Sequence, residues 1–135
     1  MAYSIDLRNA AHRHLNAANA LFDKAPHEAV SGYLYGIAAE CAIKAMMQQA
    51  GMQPLDRSKR RKDDPFFAHF PDLRIMLEAQ AQTRLGGTLR RFIADPNFMS
   101  QWDTTMRYAP GSEVHSKWVE KWREQARQVV SSIDT

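Results

Sequence analysis

The chain has 135 residues, 44% of them hydrophobic and 24% charged, with a formal net charge of +3; these values allow one globular domain that buries somewhat more than about 60% of its unfolded surface. A single cysteine, Cys41, excludes an intramolecular disulfide, and its apolar neighbours suit a small buried filler better than a reactive thiol. No apolar run approaches the roughly 20 residues that cross a bilayer, and the N-terminus lacks a basic segment followed by an apolar one, so a cytoplasmic protein with no membrane partner is expected.

Helical periodicity runs through most of the chain, punctuated by glycine and proline. Ser4 is expected to cap a first helix whose apolar stripe is Ile5, Leu7, Ala11, Leu15, Ala18 and Phe22. Pro26 suits the first turn of a second helix, which should run from about Pro26 to Gln49 and stop at Gly51. That helix is crowded with small residues and carries Glu40 and Lys44 one turn apart. An unpaired buried charge is costly, so Glu40 needs a partner: Lys44 in a surface pair, or Arg107 in a buried one.

Residues 52–67 contain proline and turn from basic to acidic, with Arg57, Lys59, Arg60, Arg61 and Lys62 packed into one short run. The segment reads as a surface loop whose cations are either merely solvated or form a phosphate-binding patch. Pro71-Asp72-Leu73 opens a third helix, with Leu73, Ile75, Met76, Leu77 and Ala81 available to the core and Gly86-Gly87 at its end. Thr88 then caps a short fourth helix through Ile93, which Asp95-Pro96-Asn97 breaks. Phe98, Met99 and Trp102 suggest another turn before the irregular stretch from Arg107 to Gly111. A final helix starts near Ser112, with Trp118, Trp122, Ala126, Val129 and Ile133 on one inward face. No alternating strand pattern occurs, and the reading is an all-α, up-and-down bundle of four to five helices, a single domain over 1–135.

Familiar catalytic motifs are missing. Gly86-Gly87 has neither the spacing nor the preceding strand of a phosphate loop, and His12 and His14 fall on different faces of one helix, where they cannot share a metal. Neither a cofactor nor a metal is expected.

Several pieces, in order, carry a family resemblance: a first helix with scattered alanines, the Ala38-Ala39-Glu40 helix, a long loop ending in His69-Phe70-Pro71-Asp72-Leu73, the Arg107-Tyr108 turn and a closing amphipathic helix. Together they resemble the HEPN family (higher eukaryotes and prokaryotes nucleotide-binding domains) over nearly the whole sequence. The resemblance implies an HEPN-like helical interaction or RNA-associated module, of the kind found in bacterial toxin-antitoxin or defence systems. It further implies a homodimer, with RNA or a nucleotide as ligand and a nucleotidyltransferase-like protein as partner. Many family members are metal-independent ribonucleases in which an Arg precedes, by about four to six positions, a His at the start of the last helix. The His serves general acid–base attack by the ribose 2′-hydroxyl and the Arg stabilises the phosphate. Carried onto this chain, those roles fall to His115 and Arg107, with Glu40 able to fix the guanidinium, Tyr108 to contact the nucleotide, and the cations from Arg57 to Lys62 to hold phosphates. Here, however, Tyr108 to Val114 intervene, including Pro110-Gly111. Members that have lost the motif are thought to serve as binding or assembly modules.

Overall fold

A computed structural model describes residues 3–54, 64–80 and 87–134. Five α-helices organise them: α1 (Leu7–Leu21), α2 (Glu28–Gln49), α3 (Asp72–Gln80), α4 (Gly87–Ala94) and α5 (Ser116–Ser132). Short 3₁₀ turns occupy Pro65–Phe67, Thr104–Tyr108 and Gly111–Glu113. No strand is present among the described residues, and the expected all-helical bundle is what forms.

The first helix starts two residues later than a Ser4 cap would place it. Asp6 is the N-cap, its carboxylate accepting from Asn9 N–H at 3.0 Å, which satisfies one of the donors that a helix start leaves open. Ile5 therefore precedes the helix and is exposed, whereas Ala11, Leu15 and Ala18 are buried as their spacing predicts. A short connection returns the chain into α2, and Ser31 Oγ donates to Ala18 O while Tyr35 Oη donates to Asn19 Oδ1. The end of α1 thus lies beside the start of α2, an antiparallel pair.

The stop of α2 matches its sequence signal. Gly51 adopts φ +90°, and Met52 N–H and Gly51 N–H donate back to Met47 O and Gln48 O, both at 3.0 Å. This is the crossed pair of bonds that closes many helices on a left-handed glycine.

Around α2 the core is continuous. Trp102 lies against its backbone at Gly36, where any Cβ would fall inside the indole; only glycine permits that approach. The Trp102 Nε1–H is shared between Gly32 O at 3.2 Å and Tyr33 O at 3.3 Å, and Tyr33 stacks on the same indole at 5.5 Å. Trp122 and Val119 of α5 pack over Gly32, while Gln49 Nε2 donates to Ile133 O at 2.9 Å. With its start beside the start of α2 and its end beside the end, α5 runs parallel to α2.

Helix α5 begins at Ser116, not near Ser112. Pro110 and the 3₁₀ turn after it consume the intervening residues, and Val114 and His115 are extended, with ψ 104° and 137°. Trp122, Ala126, Val129 and Ile133 are buried as expected, while Trp118 is only partly so. In α3, Leu73 and Leu77 face the core but Ile75 is exposed, as a three-to-four residue period requires. Ala81 and Gly86 lie outside the described residues.

Candidate functional site

Glu40 is 3% exposed, and its partners come from far along the chain. One carboxylate oxygen meets His69 Nδ1 at 2.8 Å and the other accepts from Phe70 N–H at 2.9 Å. Lys44 Nζ stands 4.0 Å from the first oxygen. Asp64, also buried, accepts from Phe66 N–H and adds negative charge near Lys44. Burial pushes the Lys44 ammonium below its ordinary value, against the opposing pull of Glu40. The Cys41 thiol is pushed up to about 11, again chiefly by burial.

This arrangement ties the entry of α3 to the middle of α2. Phe70, held by its own N–H, puts its ring edge-on to Trp102 and Phe98 at centroid distances of 6.2 and 5.6 Å. Leu73 N–H then bonds back to His69 O at 2.8 Å and starts the helix. The His69 side chain remains 50% exposed. The partner of Glu40 is thus His69, in place of the Lys44 surface pair or the buried Arg107 pair that the sequence suggests. The available signal was a histidine immediately before a helix-opening Pro-Asp.

Arg107 does not reach Glu40. Its Nη1 donates to Tyr33 Oη at 3.2 Å and its guanidinium lies 5.0 Å from the centre of the Tyr108 ring. Those contacts raise an already high pKa, the Tyr33 bond most of all. Tyr108 itself is 78% exposed. His115, the N-cap of α5, makes no side-chain capping bond and packs edge-on against Trp118 at 4.2 Å. It also lines a recess of about 360 Å³ with Glu28, Ser112 and Ser116. No hydrogen bond or ion pair joins Arg107 to His115 within the chain. The proposed phosphate-binding residues Arg57, Lys59, Arg60, Arg61 and Lys62 lie outside the described residues. Among the described residues, no three His, Cys, Asp or Glu side chains converge as a metal site.

Comparison with family models, with characterised proteins and with solved structures returned no match.

Proposed function

We propose that the chain is an HEPN-like helical interaction module that pairs with a second copy of itself and associates with RNA in a toxin-antitoxin or defence setting. The observation that carries this reading is the uneven cover on α2. Val30, Leu34, Ile37 and Cys41 recur at steps of four, three and four; Val30 is 52% exposed and the other three are only partly covered. A helix that is apolar all round normally has all its faces buried, and a second copy completes the cover by the same strip meeting itself across a two-fold axis. The Arg107–Tyr108 surface flanks this region through Tyr33 and offers a cation and an exposed ring to a nucleic acid. A nucleotidyltransferase-like protein is the further partner that the family resemblance suggests.

Sedimentation at micromolar concentration tests the pairing directly. A dimer is expected, and Leu34→Glu with Ile37→Glu should return it to the 15.4 kDa monomer; a wild-type monomer overturns the assembly. For the basic run, Arg60, Arg61 and Lys62 changed together to Gln should flatten the salt dependence of RNA binding. Unchanged affinity and slope would remove those residues from the ligand-binding surface.

A metal-independent ribonuclease using Arg107 and His115 is the second reading, favoured by the exposure of both side chains and by the recess beside His115. It requires the two residues to meet across the dimer, with the base near neutrality and the cation at the phosphate. Turnover of labelled RNA in chelator by wild type, His115→Ala and Arg107→Ala separates the readings. Loss of about 10²–10⁴ in rate on removing His115 supports catalysis, and absence of turnover in wild type supports the binding module.

A further inference from the structure

Between α5 and the two 3₁₀ turns that precede it lies a recess of about 180 Å³. Trp118 and Trp122 line it from α5, their ring centres 6.3 Å apart, and Met106 and Val114 add apolar wall. Asp103 and Glu113 supply two carboxylates, and no Lys or Arg is among the lining residues.

The aromatic side is fixed. Trp122 Nε1–H donates to Ser100 O at 2.9 Å, and the His115 ring packed against Trp118 limits that indole's rotation. Asp103 is fixed as well, since Oδ1 accepts from both Thr105 N–H and Thr105 Oγ–H at 2.8 Å. These bonds, the backbone one foremost, hold its carboxyl below the usual range and keep it anionic at neutral pH. Glu113 is exposed.

We propose that this recess binds an organic ammonium group, held by the partly exposed Trp118 indole and by the carboxylates of Asp103 and Glu113. An aromatic face attracts a cation within about 6 Å of the ring centre, and indole does so best. An alkylated ammonium also carries a weakly hydrated shell of methyl or methylene groups that Met106 and Val114 can cover. A phosphate or carboxylate ligand would instead meet two like charges. The volume is below the about 300 Å³ at which pockets for drug-sized ligands begin, so it suits a cationic head and excludes a whole nucleotide. Arg107 and Tyr108 are not among the residues that line the recess, and the proposal does not depend on the assembly or RNA reading.

The three tryptophan indole N–H signals of ¹⁵N-labelled full-length protein supply the assay. Choline, its uncharged analogue 3,3-dimethylbutanol, and the lysine derivative N-acetyl-lysine methylamide are titrated in turn. The expected result is a saturable shift of the Trp118 signal with a charged ligand and little response to the uncharged one. The Trp102 signal, whose N–H is held by Gly32 O and Tyr33 O, should move little. Tighter choline binding marks a free quaternary ammonium compound as the source, and tighter binding of the lysine derivative marks a peptide side chain. Trp118→Leu should weaken binding by about tenfold. Glu113→Gln, at an exposed position where folding is not at stake, should weaken it several-fold. Equal binding of choline and 3,3-dimethylbutanol, wild-type affinity in Glu113→Gln, or no saturable shift with either ammonium compound would each overturn the proposal.

Discussion

Replacing Glu40 with Ala would leave Phe70 N–H without its acceptor and remove the larger of the two carboxylate charges, Glu40 and Asp64, that act on the buried Lys44 ammonium. Breaking a buried ionic arrangement from one side costs about 3–5 kcal/mol, whereas His69→Ala removes one bond from a half-exposed ring and should cost about 1 kcal/mol. Urea unfolding of both variants checks the order; a smaller loss for Glu40→Ala than for His69→Ala would mean that the carboxylate does not tether α3. Cys41 and Lys44, neighbours of Glu40 on α2, oppose each other in alkali. Because the folded thiol's pKa is pushed from 9.0 to about 11, the unfolded chain loses that proton first, and stability from Cys41 declines as pH rises through this window. Lys44 is shifted down from 10.5, so the folded chain loses its proton first and stability from Lys44 rises with pH below 10.5. Cys41→Ala should therefore unmask an alkaline gain that Lys44→Met abolishes, both read by denaturant midpoints. At pH 8 the native thiol should react with iodoacetamide about a hundredfold more slowly than a free peptide thiol; equal rates would show that burial does not suppress the thiolate.

At the scale of elements, α2 accepts large rings because it is built from small residues. Gly36→Ala would ordinarily gain roughly 1 kcal/mol of helix propensity, but the added methyl group would have to displace the Trp102 indole. Overpacking of a core typically costs about 1–3 kcal/mol, so a net loss is expected. A rise in thermal midpoint for Gly36→Ala would show that Trp102 can move away freely. Trp122→Ala removes a buried ring from the α2–α5 contact together with its bond to Ser100 O, and should cost about 3–5 kcal/mol in denaturant unfolding. A loss below about 1 kcal/mol would contradict the packing of that face. These faces were legible because they are local: spacings of three and four residues mark the stripe on α5, and a glycine after an apolar run marks the end of α2. The start of α5 was less so. Ser112 resembles an N-cap, but the extended residues Val114 and His115 postpone the helix to Ser116.

For the molecule as a whole, periodicity sufficed to establish an all-helical bundle, but it carries no record of which distant groups meet. Glu40 and His69 are 29 positions apart, and neither residue type nor spacing distinguishes that pairing from one with Arg107. The parallel course of α5 along α2 likewise emerges only from long-range packing, since hydrophobic periodicity fixes a face and leaves direction open. The tryptophans have a different consequence. Trp102, directly after the turn over residues 96–101, donates to the α2 backbone, and Trp122 on α5 donates to that turn at Ser100. Two of the three indoles thus report optically on how the turn is seated, while the helices dominate the far-ultraviolet dichroism. If heating unseats the turn before the helices melt, emission and near-ultraviolet dichroism will change at a lower temperature than the far-ultraviolet signal; if docking and helix formation are one cooperative event, all three curves will superimpose.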